Sequence, residues 1–297
     1  MTNNNQKKSL IYALMSVLLW STVASAFKLA LEKLTVIELL LIANTTSVVV
    51  LFFIAVVSRS FIHLRDFSKI DFLYSAFFGL LNPFLYYLIL FSAYDLLPAQ
   101  QAQTINYTWG IVLPLFAVPI LKQKLYRSDV LGLIVAYVGV VIISSGGDFS
   151  GFSQSSSQGV IYALLSTFIW ALYWVLNTKR TKDQICSLLL NFSFGLVFIA
   201  VYYFLFAEVK TINSEGYLSA IYVGVFEMSL TFYLWLKALR LSNRTAKIST
   251  LIFLSPFLSL VFIYFILGEP IKLSTIAGLF IIISGLFIQQ KFRIEGS

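Results

Sequence analysis

The sequence predicts an all-α polytopic membrane protein, with ten transmembrane helices in two inverted five-helix repeats. Three observations predict it. Of 297 residues, 59% are hydrophobic and only 11% charged, whereas a water-facing domain carries roughly 25% charged residues. The outer face is therefore solvated by lipid, which the 28 Phe and 16 Tyr also suit. Apolar runs of the roughly 20 residues needed to cross a bilayer recur along the whole chain. The second half also repeats features of the first.

The runs lie near 9–27, 36–58, 70–92, 97–121, 129–146, 158–178, 185–207, 216–236, 245–267 and 272–290. The longest connection, residues 146–158, is Gly/Ser-rich and falls at the midpoint, which predicts a joint between halves spanning 1–147 and 158–291. Lys7 and Lys8, an apolar stretch and Ala24-Ser25-Ala26 together have the outline of a signal peptide. Residues 11–20 (IYALMSVLLW), however, match residues 161–170 (IYALLSTFIW) at six of ten positions, at an offset of 150. A segment with an internal mate is a structural element, so the first run is expected to stay. Later in each half, Gly132 and Gly139 match Gly278 and Gly285 at an offset of 146, with Gln123 opposite Glu269. Such self-similarity indicates a duplicated five-helix unit. Because five is odd, the second copy enters the membrane from the opposite side, a recurrent transporter arrangement.

Charge supports this count. With a cytoplasmic N-terminus and ten spans, 17 of the 21 Lys and Arg residues fall in cytoplasmic loops, and only Lys28, Lys33, Lys210 and Lys272 fall outside. Basic residues are retained on the cytoplasmic side during insertion. The expected location is therefore the cell membrane, multi-pass, with both termini cytoplasmic. The net charge of +8 is spread over short loops, so no nucleic-acid-binding face is expected. One Cys (Cys186) and one His (His63) leave no basis for a disulfide or a metal site, and no cofactor is expected. No nucleotide-binding loop or catalytic constellation is present. An enzyme is not expected, and transport would be passive or ion-coupled.

Candidate site residues follow from polar groups at membrane depth, where a charge costs about 2.5–3.5 kcal/mol on insertion scales. Glu227 is the acidic residue nearest the middle of a span. It could bind a substrate amine, carry a proton, or be a structural carboxyl bonded to a neighbouring Tyr or Ser. The sixth span places Ser166, Trp170, Tyr173 and Asn177 on one helical face, flanked by Trp174, and the first span repeats Ser16 and Trp20. The fourth aligns Gln103, Asn106, Tyr107, Gly110 and Pro114, and the third aligns Gly79, Asn82 and Tyr86 beside Pro83. Each residue alone could be helix glue or an interfacial anchor. Polar stripes on four helices together predict a shared cavity for a small-molecule substrate. The fifth and tenth helices carry small faces instead, as scaffold or as contacts for a homodimer. Pro114 and Pro256 are expected to kink the fourth and ninth helices.

These features resemble the EamA family of the drug/metabolite transporter superfamily. The resemblance rests on the duplicated five-span unit, a Trp in the first helix of each copy, and Ala93, Pro98, Ala99 and Ala102 at the third junction. It extends through Ser255-Pro256-Phe257, Leu267-Gly268-Glu269, Gly278 and Gly285. Asn106-Tyr107-Thr108-Trp109-Gly110 is similar to the Asn-Tyr-x-Trp-Pro of a subset that includes amino-acid exporters, with Gly110 in place of the proline and Gln123 where a Glu is common. The resemblance implies a basket of helices around a central cavity and alternating-access transport, mostly export, of amino acids or related metabolites. A membrane-embedded ligand sensor or assembly protein is the alternative from another class.

Overall fold

The structure, a computed structural model, describes residues 3–122, 127–145, 156–177, 179–207, 216–241 and 250–294. Residues 146–155 of the expected joint, together with Gln123, Lys124, Lys210, Arg244 and Lys247, lie outside the described residues. The described chain is helical throughout, with no strand among those residues. Among the described residues, seven helical stretches are long and apolar enough to cross a membrane, and three shorter apolar helices accompany them, Val130–Ile143, Ser255–Leu267 and Leu273–Ile288. The protein is thus a multi-pass membrane protein, as its composition requires.

In chain order the helices are α1 (Asn3–Leu31), α2 (Val36–Val57), α3 (Lys69–Gly79), α4 (Tyr86–Leu96), α5 (Ala99–Asn106), α6 (Trp109–Leu121), α7 (Arg127–Ser144), α8 (Ser157–Asn177), α9 (Gln184–Phe206), α10 (Tyr217–Tyr222), α11 (Thr231–Leu241), α12 (Ser255–Leu267) and α13 (Leu273–Ile294). Caps explain several boundaries. Thr35 and Glu38 form a reciprocal capping box that starts α2, and Ser68 and Asp71 do the same for α3. Asp183 caps α9 by accepting from the Ile185 and Cys186 N–H groups at 3.0 Å each. Gly268 ends α12 in the left-handed region (φ 67°), where a residue without Cβ is unstrained.

Two spans depart from a regular α-helix among the described residues. Between α3 and α4, at Leu80–Leu85, the chain kinks at Asn82, whose backbone is extended (φ −149°, ψ 116°) beside Pro83, whereas Val223–Leu230 joins α10 to α11 as a π-helical segment. In the second, Ser229 Oγ donates to Gly224 O and Thr231 Oγ1 donates to Phe226 O. These hydroxyls bond the carbonyls five residues back, which suits the wider turn of a π segment. Pro114 and Pro256 act differently from a simple kink. Pro256 stands in the first turn of α12, where its missing N–H is no loss. The fourth span is interrupted at Tyr107-Thr108, between α5 and α6, rather than at Pro114.

The chain divides into two compact units, each drawn from both halves of the sequence. Unit 1 comprises 1–84 and 182–268, and unit 2 comprises 85–181 and 269–297. In unit 1, α1 packs on α11 and α12, and α9 packs on α2 and α3. Close approach there depends on glycine: a Cβ at Gly79 would stand 2.4 Å from Asn191 O, and one at Gly224 would stand 2.4 Å from Ala43 O. In unit 2, α8 packs on α4, α5 and α6, and α7 packs on α13. The small faces of α7 and α13 meet each other, with Cβ positions at Gly139 and Gly285 lying 2.7 and 2.6 Å from Gly278 O and Gly132 O.

Candidate functional site

The candidate residues fall into two groups, one in each unit. In unit 2 the structure brings Tyr86, Asn106, Trp170 and Tyr173 together. Tyr86 opens α4, Asn106 closes α5, and Trp170 and Tyr173 lie three residues apart on α8. The Trp170 ring stacks on Tyr86 with centroids 4.4 Å apart and planes 27° apart, and on Tyr173 at 6.1 Å and 22°. Trp109, the first residue of α6, meets Trp170 edge-on at 6.5 Å, and Trp174 does so at 5.7 Å.

A polar relay borders the stack. Asn106 Nδ2 donates to Ser166 Oγ at 2.8 Å, and the Tyr86 hydroxyl donates to Asn106 Oδ1 at 3.5 Å. Ser166 Oγ in turn donates to Ala163 O. The amide is thereby fixed in orientation beside flat aromatic faces. Such a group can stack a planar or apolar ligand while a few placed polar atoms orient it. Gln103 is buried one turn earlier on α5, and Tyr107 caps that helix by donating its N–H to Gln103 O. Asn177 stands at the C-terminal end of α8, half-buried, one turn beyond Tyr173.

What holds Asn106 in place is the anchoring of α5, a short helix buried along its length. Its first N–H groups have no intrahelical acceptor. Glu269 supplies one: the Ala99 and Gln100 N–H groups donate to its two carboxylate oxygens at 3.0 and 3.5 Å. The Gln100 side chain donates to Pro270 O at 2.9 Å and accepts from Thr275 Oγ1 at 2.8 Å. A carboxylate at a helix N-terminus also complements the helix dipole. Sequence reasoning noted Glu269 only as a repeat mate and part of a family-like stretch. The available signal was Pro98-Ala99 opening a helix whose polar ends had to be satisfied at membrane depth.

Unit 1 holds Trp20, Asn82 and Glu227. Trp20 meets Phe232 and Trp235 of α11 at 6.1 and 5.5 Å, with planes 83° and 59° apart. Two residues further along α1, Thr22 Oγ1 and the Tyr222 hydroxyl share a 2.6 Å hydrogen bond. Glu227 is buried within the Val223–Leu230 π segment, which Ser47 of α2 holds through hydrogen bonds with Met228 O at 3.1 Å and Ser229 Oγ at 3.0 Å. Asn82 is fully buried at the kink between α3 and α4, and neither its amide nitrogen nor its amide oxygen has a partner among the described residues. An unpartnered buried amide is costly, about 1–3 kcal/mol, and such groups are kept where a ligand or water can use them. The π segment around Glu227 is of a kind that recurs at functional positions. It was not visible as a change of sequence period.

The comparisons agree with this architecture. A chain of known crystal structure superposes with a TM-score of 0.68 at 19% identity, covering 98% of this chain and 99% of its own, so the two share a fold. The uncharacterized transporter YvbV of Bacillus subtilis strain 168 is 28% identical over 212 residues, 70% of this chain and 68% of the relative. The aromatic amino acid exporter YddG of Ancylobacter novellus is 25% identical over 163 residues, 53% of this chain and 55% of the relative. The pattern of the EamA-like transporter family matches twice, at residues 7–145 and 157–289. With nearly its whole length accounted for by that double match, the chain belongs to the EamA-like transporter family.

Proposed function

We propose that this transporter moves small organic solutes, most specifically amino acids or related metabolites, out of the cell by alternating access. The observation that carries the reading is the stacked Tyr86–Trp170–Tyr173 group with the Asn106 amide held beside it. Stacked rings bind a flat or apolar side chain, and an oriented amide bonds a carboxylate or amine. The exporter name carried by the YddG relative points the same way. In this reading Glu227 supplies the intramembrane charge, while Trp20, Asn82, Gln103, Tyr107 and Asn177 complete the substrate-binding set. Ten spans in two inverted repeats, a cell-membrane location and cytoplasmic termini belong to the same proposal. A second copy would use the outer faces of α7 and α13, where Ile134, Val138 and Phe280 are exposed, because their small faces already meet each other.

Purified protein in liposomes, given a panel of labelled amino acids and metabolites, tests the reading. The expected result is protein-dependent flux of an amino acid, reduced several-fold by Glu227→Gln in protein that still reaches the membrane. Ligand binding without flux would favour a sensor and overturn transport.

A further inference from the structure

We propose that unit 1 carries a second binding site, for a phosphate-type anion, at the end where α2 stops and α9 begins. A cavity of about 380 Å³ lies there, within the range of small-ligand sites. Lys237 is the charged residue among those lining it. Its ammonium sits 4.5 Å from the Tyr233 ring centroid and 5.8 Å from that of Tyr12, so ring faces hold it in place. It has no acidic partner among the described residues.

The other polar lining groups are hydroxyls. Ser58 Oγ donates to Ser60 Oγ at 3.1 Å, leaving the Ser60 hydroxyl proton without an acceptor among the described residues. The Tyr233 hydroxyl likewise has no partner among them. The backbone places the serines together: Arg59 lies between them in the left-handed region (φ 60°), and Cys186 Sγ donates to Ser60 O at 2.8 Å. An ammonium and two uncommitted hydroxyl donors suit an anion with several oxygens, as a phosphate has. Both α2 and α11 end near this cavity, and their carbonyl ends oppose an anion, so the site depends on Lys237.

A phospholipid headgroup and free phosphate share this chemistry. The walls favour the lipid: Val57, Leu236 and Ile185 are apolar, and Val57 is 84% exposed at the end of a lipid-crossing helix. Basic pockets between membrane helices at the interface take lipid headgroups in this manner.

The test is thermal unfolding of the full chain in detergent, titrated with phosphatidylglycerol, phosphatidylcholine or inorganic phosphate. Phosphatidylglycerol should raise the midpoint, and phosphatidylcholine should raise it much less. Lys237→Gln should weaken the apparent phosphatidylglycerol affinity roughly tenfold or more, and Lys237→Arg should largely retain it. Phosphate that competes with the lipid identifies a site open to both sources, and phosphate without effect identifies the lipid alone. Either result supports the site. Equal shifts with the two lipids, or an unchanged phosphatidylglycerol affinity in Lys237→Gln, would overturn it. Should Lys237→Gln fail to fold, the Ser58→Ala/Ser60→Ala double variant decides, since it too must weaken the headgroup effect.

Discussion

Trp20 and Trp170 close two matching stretches of sequence, residues 11–20 and 161–170, yet their surroundings differ. In unit 1, Trp20 meets Phe232 and Trp235 at steep angles, and its neighbour Ser16 donates to the backbone carbonyls of Tyr12 and Thr231. In unit 2, Trp170 lies nearly parallel to Tyr86 and Tyr173, and the mate of Ser16, Ser166, accepts the Asn106 amide. Edge contacts fill space, whereas the face-on stack beside a fixed amide is the arrangement that the proposed function assigns to a ligand. The same helix start occurs twice in the sequence, and the partner helices give it different surroundings.

The widest gap should appear in transport. Truncating the buried Trp170 to alanine is expected to destabilise by about 3–5 kcal/mol, as for large aromatic side chains in packed interiors, and truncating the half-buried Trp20 by less. Flux in liposomes should separate them. We expect Trp170→Ala to lose roughly tenfold or more, and Trp20→Ala to lose less, because Phe232 and Trp235 still supply an aromatic wall. Equal losses at matched protein levels would erase the distinction between the two tryptophans.

The next effect concerns the scaffold of unit 2. Placing a Cβ at Gly139 meets Gly278 O at 2.7 Å and Ile282 Cγ1 at 2.8 Å. The carbonyl is backbone and cannot swing away, so Gly139→Ala should destabilise by about 1–3 kcal/mol, read by unfolding in mixed micelles. Glu269→Gln should fall lower in the same range, about 1–2 kcal/mol, because a neutral amide oxygen still caps α5 with a weaker bond.

Much of this was legible in the sequence for physical reasons. Spans depend on local apolar length, so α2, α8 and α9 lie within a residue or two of the expected runs. The stripe Ser166-Trp170-Tyr173 depends on helical period alone, and it does form one face on α8. What stayed hidden depended on partners far along the chain. Glu269 bonds Ala99 across 170 residues of sequence, and nothing local to either residue announces the pair. The π segment hid for a different cause: one extra residue per turn leaves the hydrophobic pattern almost unchanged, although it contains a residue singled out on chemistry, Glu227, whereas the kink at Asn82 falls beside Pro83, which the sequence does display. Trp109 was visible as a motif letter, but its place against Trp170 depends on the interruption at Tyr107-Thr108, which the prolines did not mark.

A double-mutant cycle sharpens the comparison at the level of single hydrogen bonds. Asn106→Leu and Ser166→Ala should couple by about 1 kcal/mol, because each removes the other's partner at 2.8 Å. Ser16→Ala should show no coupling to Asn106→Leu, since Ser16 Oγ donates only to backbone carbonyls. Chemical unfolding of the four proteins measures the first cycle, and a coupling below the error of the method would mean the amide is not fixed by the serine.

The smallest expected effect lies outside both aromatic groups and tests whether the comparison rests on interior chemistry rather than on surface charge. Lys182 donates to Asp66 O, sits 3.4 Å from Asp71 Oδ2, and lies 5.7 Å from the Phe67 ring centroid. Its side chain is 30% exposed. Water screens such a pair, and exposed ion pairs contribute about 0–1 kcal/mol. Lys182→Gln should therefore shift stability by less than about 1 kcal/mol and leave transport unchanged, with a further reduction of the small effect in high salt. A large loss of flux in this variant would move the critical polar contacts from the Asn106–Ser166 pair to the loop preceding α3, and the ranking of the two regions would have to be reversed.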